Sequence, residues 1–237
     1  AAAAAAGAAA ARGPTVATAE PMPPPLLLRV IAVVLAVPTC ALRRSPAGHH
    51  RGARPLSMSS LPEGSIEAAQ FDGTGVVLLA DPSEHNRFLR QQGILVIQHS
   101  RGSPSHGVTL ENPTPFTMGE MAAADMGAFR ENGLCTGGDN GDGSVVMVHS
   151  VDGVEGSRYL GNGLYIGGVA HARQLVERGD ADPASFKFFF NHVEWRDGEL
   201  EKQLGHLEYD AAVVPPSLVL RQPGSFHPPL WSLARRA

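Results

Sequence analysis

The chain has 237 residues and a formal net charge of −4, divided unevenly: residues 1–60 carry six Arg and one Glu, or +5, and the remainder carries 13 Lys or Arg against 22 Asp or Glu, or −9. That contrast separates a leader from an acidic folded body, and the acidity argues against nonspecific nucleic-acid binding, which needs clustered cations to displace phosphate counterions. There are two cysteines, Cys40 in the leader and Cys135 in the body, so a mature domain without the leader has no disulfide scaffold.

The chain opens on an Ala-rich run without an initiating Met, as expected of a sequence lacking its true start. Residues 24–41 contain an apolar run, Leu26 to Val37, interrupted by Arg29. It is shorter than the roughly 20 apolar residues a membrane span needs and fits the core of a signal peptide. Residues 42–62 are rich in Arg and Ser without an acid, the composition of a transit peptide. The expectation is a disordered two-part targeting leader over 1–62, delivering residues 63–237 to a plastid, with secretion or mitochondrial import as alternatives. The mature form is expected to have no membrane span.

In the body, the run from Val76 to Ala80, closed by Asp-Pro, predicts a buried strand. A short helix is expected between Ser83 and Gly93, then strands in "GILVIQH" and "HGVTLEN", the latter stopped by Pro113. Thr117 and Glu120 have capping-box spacing and predict a helix through "TMGEMAAADMGAF". "LCTG", "SVVMVHS" and "GLYIGG" read as strands and "VAHARQLVERG" as a helix. "SFKFFFNHVEW" holds three consecutive Phe, which predicts a strand covered on both faces. "DGELEKQLG" predicts a helix with Asp197 as N-cap; "EYDAAVVPPS" and "SLVLRQ" predict two strands, and "PPLWSLARR" a last helical turn. This irregular interleaving favours one α+β domain with a mixed or antiparallel sheet over a regular parallel wind.

The glycine cluster "CTGGDNGDGS" invites three chemical readings. A calcium loop starting at Asp139 needs an acid at its twelfth position, which is Ser150. A phosphate loop needs Gly-Lys-Ser/Thr opening a helix, and here a strand follows. The remaining reading is a hairpin turn between "LCTG" and "SVVMVHS". If the two strands pair so that residue numbers sum to 282, Cys135 and His149 become diagonal neighbours on one face, a possible thiol–histidine dyad; a sum of 281 separates them onto opposite faces. The histidines show no HxH or HExxH spacing and no CxxC occurs, so neither a metal nor any other cofactor is expected.

The pieces "GVVLLADPS", "GILVIQH", "HGVTLENPT", "CTGGD", "VVMVHS", "GNGLYIGG", "FKFFFNHVEWRDGELEKQL" and "LWSLARR" resemble, in this order, the YqgE/AlgH family. The likeness runs from about Gly73 to Arg236. It implies a compact α+β fold with a curved, barrel-like mixed sheet flanked by short helices, and no established enzyme activity. Some bacterial relatives carry a transcriptional-regulator label, but this body is acidic and has no helix-turn-helix signature. The chain departs from the family pattern at Glu111-Asn112-Pro113, at Gly137-Gly138-Asp139 and at His192-Val193-Glu194-Trp195.

The expected function is a non-catalytic binding or regulatory protein with an unidentified protein or small-molecule partner. Its candidate surface comprises Asn112, Thr114, Gly137, Gly138, His149 and Trp195. The alternative is a thiol-dependent hydrolase or transferase using Cys135 and His149.

Overall fold

The structure, a computed structural model, describes residues 65–83, 89–122 and 124–236. The leader expected over residues 1–62, His85 and the middle of the helix expected after Ser83 lie outside those residues.

Eleven strands among the described residues form one mixed sheet. They are β1 (Glu67–Ala68), β2 (Val77–Ala80), β3 (Gly93–Gln98), β4 (Ser105–Thr109), β5 (Pro113–Thr117), β6 (Gly133–Thr136), β7 (Asn140–His149), β8 (Ser157–Gly161), β9 (Leu164–Gly167), β10 (Phe186–Trp195) and β11 (Tyr209–Val213). The order across the sheet is β1-β11-β2-β3-β4-β10-β7-β9-β8, with β5 and β6 branching from β10. Every pairing is antiparallel except that of β10 with β6.

The strand β10 joins two halves. Its first part, Phe186–Phe190, lies between β6 and β7, and its last part, Val193–Trp195, pairs with β4. Between them the register shifts at Asn191, which is in the left-handed region (φ 61°). The extra residues of this irregularity lie in β7, where Asn140 to Val145 oppose Phe190 to His192; the positive φ at Asn191 bends β10 there and changes which face its later residues occupy.

Alternation then sorts the apolar side chains into three clusters. One continuous face carries Val77, Leu79, Leu95, Val108, Cys135, Val148 and Phe189. The other face carries Leu134, Met147, Phe186 and Phe188 in one half, and Leu78, Ile94, Val96, Val193 and Trp195 in the other. Thus β2, β3 and β10 are apolar on consecutive residues because both of their faces are covered. Phe186, Phe188 and Phe189 are essentially sealed from solvent. Each contributes on the order of 1.5–3 kcal/mol by burial.

Short helices complete the covering. The helices α1 (Met118–Met121) and α2 (Val169–Glu177) supply Met118 and Ala172 to the second cluster, and α3 (Glu199–Gly205) supplies Leu200 to the third. The helices α4 (Pro216–Val219) and α5 (Leu230–Ala234) place Val219 and Leu230 on the first.

The sheet curls. Thr74 Oγ1 donates to the Leu160 carbonyl (2.7 Å), Asn162 Nδ2 to that of Gly75 (3.1 Å) and Arg158 Nη2 to that of Ile97 (2.8 Å), bringing β8 beside the entry to β2 and the end of β3. These are side-chain bonds rather than a backbone ladder, so the barrel-like expectation is corrected to an open, curled sheet.

Several expected elements change. The helix from Thr117 keeps its capping interaction, with Glu120 Oε2 accepting from the Thr117 amide (2.8 Å), but ends after one turn; Ala122 is extended and a 3-10 turn follows at Gly127–Phe129. Asp197 accepts from the Gly102 amide (2.9 Å), while Gly198 precedes α3. The start of "SLVLRQ", expected as a strand, lies instead in helix α4, which ends at Val219; Pro216 occupies a first-turn position where its missing N–H costs nothing. Pro113 opens β5 rather than ending order there. Before the expected "GLYIGG" strand the chain makes a two-residue hairpin: Asn162 and Gly163 both have positive φ (52° and 74°) and turn β8 into β9.

Candidate functional site

The glycine cluster is a crossover, not a hairpin. The strands β6 and β7 do not pair with each other; β10 lies between them. Residues 137–139 therefore cross β10 at its bend. The Gly137 amide donates to the Phe190 carbonyl (2.7 Å), and Asn140 stands opposite His192. A Cβ on Gly138 would lie 1.9 Å from the His192 carbonyl carbon, and one on Gly137 would lie 2.4 Å from the Asn191 carbonyl oxygen. Only glycine lets two backbones pass this closely.

This register separates the expected dyad. Cys135 stands opposite Phe189, and His149 opposite Phe186. Those β10 residues are three apart, so their side chains occupy opposite faces. Three residues along a strand and two strand spacings put the Cys135 and His149 backbones roughly 14 Å apart. Cys135 is fully buried, and burial pushes its thiol pKa up, partly offset by Lys187. His149 is also fully buried, stacked on Tyr165 at 5.5 Å and packed against Phe186 at 5.4 Å. Desolvation holds its pKa below the ordinary value, opposed by weak polarisation from the backbones of Val151 and Gly167. Neither ring nitrogen makes a well-formed hydrogen bond.

The other candidates take part in the fold to differing degrees. Thr114 Oγ1 donates to the Leu134 carbonyl (2.8 Å), and the Asn112 carbonyl accepts from the Thr136 amide (2.7 Å). Gly137 and Gly138 are buried at the crossover. Trp195 is 3% exposed and meets Tyr209 edge-on. Of the six candidates, Gly137, Gly138, His149 and Trp195 are thus buried, while Asn112 and Thr114 stay partly exposed.

Two groups of residues escaped the sequence reading. The first is a polar island inside the first apolar cluster. Lys187 is fully buried; its Nζ donates to the carbonyls of Leu110 (2.7 Å) and Val219 (3.1 Å) and lies 4.7 Å from the Phe226 ring centre. Desolvation lowers its pKa to about 8, with Cys135 and Glu111 opposing and Arg221 reinforcing that shift. Beside it, Arg221 Nη2 donates to Glu111 Oε1, and Glu111 Oε2 accepts from the Leu230 amide (2.7 Å). Glu111 thereby ties the β4–β5 connection to the start of α5. Cover on both faces was expected for this strand, but no local pattern shows which distant carbonyls hold the Lys187 ammonium.

The second group surrounds the bend. Glu194 stands directly opposite His106 across β10 and β4, and His192 precedes Glu194 by two residues on the same face. Glu194 Oε2 is 3.5 Å from His106 Nε2 and 3.9 Å from His192 Nε2. The two imidazole centres are 4.4 Å apart. The sequence signal was His-x-Glu on a strand, which puts both side chains on one face; its third member comes from a strand 86 residues earlier (192 against 106). An open groove of about 400 Å³ lies elsewhere, between Phe71, Leu204 and Tyr209, and touches neither group.

A family model described as AlgH-like (DUF179) matches residues 77–236. UPF0301 protein BF2109 of Bacteroides fragilis is 21% identical over 131 residues, which cover 55% of this chain. The chain spans 66% of that relative's length, just under two thirds. Among solved structures, protein DIP2367 of Corynebacterium diphtheriae is similar with a TM-score of 0.59 and 23% identity, covering 71% of this chain and 88% of that one. The AlgH protein of Pseudomonas aeruginosa gives a TM-score of 0.53 at 15% identity, covering 72% of this chain and 91% of its own. At these identities the structural likeness is one of fold.

Proposed function

This chain belongs to the AlgH-like family, and from that premise we propose that it is a non-catalytic binding or regulatory protein. The supporting observation is the separation of Cys135 from His149 onto opposite faces of the sheet, each sealed in a different apolar cluster. Nucleophilic thiol chemistry needs a thiolate within hydrogen-bond reach of a base and open to substrate. Burial here favours the neutral thiol and the neutral imidazole.

Thiol labelling tests this reading. In the full chain carrying Cys40→Ser, Cys135 is expected to react with iodoacetamide only as fast as the protein unfolds, at neutral as at mildly alkaline pH. Stoichiometric labelling of the folded protein at pH 7 overturns the reading in favour of a thiol enzyme. We further propose delivery to a plastid by residues 1–62, supported by the basic, two-part composition of that segment. Fusion of residues 1–62 to a fluorescent reporter is expected to give plastid fluorescence; cytosolic fluorescence ends the proposal.

A further inference from the structure

We propose that His106, His192 and Glu194 form a binding site for one divalent transition-metal ion, with Zn²⁺ the preferred occupant, at the bend of β10. One ring nitrogen each of His106 and His192 and a Glu194 carboxylate oxygen all lie within 4.8 Å of one another. Zinc takes nitrogen at about 2.0–2.1 Å and carboxylate oxygen at about 2.0–2.2 Å, so tetrahedral ligands stand roughly 3.4 Å apart. The separations of 3.5 and 3.9 Å from Glu194 Oε2 are close to that spacing before any ion draws the side chains in.

The arrangement is fixed by the fold rather than by chance proximity of mobile side chains. Cross-strand register sets Glu194 against His106. The bend at Asn191 moves His192 and Glu194 onto the face they share with His106. The glycine crossover clamps His192: Gly138 abuts its backbone, and a Cβ on Gly141 would lie 2.7 Å from its Nδ1. With the Nδ1 side of the ring beside Gly141 at the start of β7, Nε2 is left to face Glu194. Such prior ordering lowers the entropic cost of ligation.

Ligand chemistry selects the ion. Two imidazoles and one carboxylate suit zinc and its first-row neighbours, whereas calcium and magnesium prefer oxygen throughout. Asp139, on the crossover, adds a second negative charge that acts on His192. The side chains of His106, His192 and Glu194 retain 24%, 15% and 43% of their exposure, so an ion can enter from solvent. Three protein ligands leave a fourth position for water or for a group from a binding partner.

The test uses the full chain without an affinity tag, and competes it for Zn²⁺ against a chromophoric chelator. One equivalent is expected to bind, and Co²⁺ in its place is expected to give the visible absorption of a tetrahedral site. His106→Ala, His192→Ala and Glu194→Gln are each expected to weaken binding at least about tenfold. The double variant His49→Ala/His50→Ala and the single variant His206→Ala are expected to bind as the parent does. Glu194→Gln alters a half-exposed side chain, and unchanged near-ultraviolet circular dichroism separates lost ligation from lost folding. Absence of stoichiometric binding, or a folded Glu194→Gln protein that binds Zn²⁺ as tightly as the parent, overturns the proposal.

Discussion

Gly138 has no room for a side chain. Its constraint comes from the backbone of His192, which a Cβ would overlap at 1.9 Å, rather than from an unusual dihedral. Gly138→Ala is expected to destabilise the domain by at least about 3 kcal/mol in urea denaturation, since neither backbone can withdraw without breaking the β10 pairings. By contrast, Gly153→Ala meets open space but retains a φ of 71°, and is expected to cost only about 1 kcal/mol. The sequence indicated that the cluster needed glycine. It could not reveal that the reason was a segment more than 50 residues later (Gly138 against His192).

Lys187 permits a pH prediction. Its pKa falls from 10.5 unfolded to about 8 folded. The folded state therefore holds fewer protons than the unfolded state between these values, and this group's contribution to stability rises with pH across that window. Below about pH 8 the buried charge opposes folding by on the order of 3 kcal/mol. In proteins that also carry Cys135→Ala, to remove the opposing thiol titration, the parent is expected to gain stability from pH 8 to 10 relative to Lys187→Met. Urea midpoints at the two pH values measure the difference; parallel pH dependence of the two proteins contradicts the assignment.

At the scale of the element, β10 was the most legible strand in its existence and the least legible in its connections. Consecutive Phe residues announced burial on both faces, and that is found. Its parallel partner β6 and its bend could not be read, because local apolar patterning says nothing about which distant strand supplies the ladder. The same ignorance produced the hairpin expected between β6 and β7, and with it the Cys135–His149 dyad. Asn191 carries the bend at φ 61°, with its Oδ1 accepting from the Gly143 amide (2.9 Å). Asn191→Val is expected to be less stable than Asn191→Gly by about 1–2 kcal/mol, because a β-branched residue resists the left-handed region. Equal unfolding midpoints for the two variants contradict that conformation. The metal-ligand triad depends on this bend, which explains why no linear spacing motif disclosed it.

At the scale of the whole molecule, the family resemblance and strand count anticipated an α+β domain, but edge closure depends on a few distant side chains. The β8 edge is held by Thr74, Asn162 and Arg158 rather than by a ladder. The first apolar cluster is instead covered by the C-terminal segment: Leu230 is completely buried, and Trp231 Nε1 donates to the Ala80 carbonyl (2.8 Å). Leu230→Ala is expected to cost about 2–5 kcal/mol by chemical denaturation, as for a core leucine rather than a frayed terminus. A cost below 1 kcal/mol is the result that contradicts this packing.

The position of β10 also constrains the order of assembly. It is tenth of the eleven strands among the described residues yet pairs with β4, β6 and β7. A nascent polypeptide that has emerged only as far as α2 lacks the piece that bridges its earlier strands. Those strands must wait with their inward edges unsatisfied, so the cooperative structure is completed only after most of the polypeptide has left the ribosome.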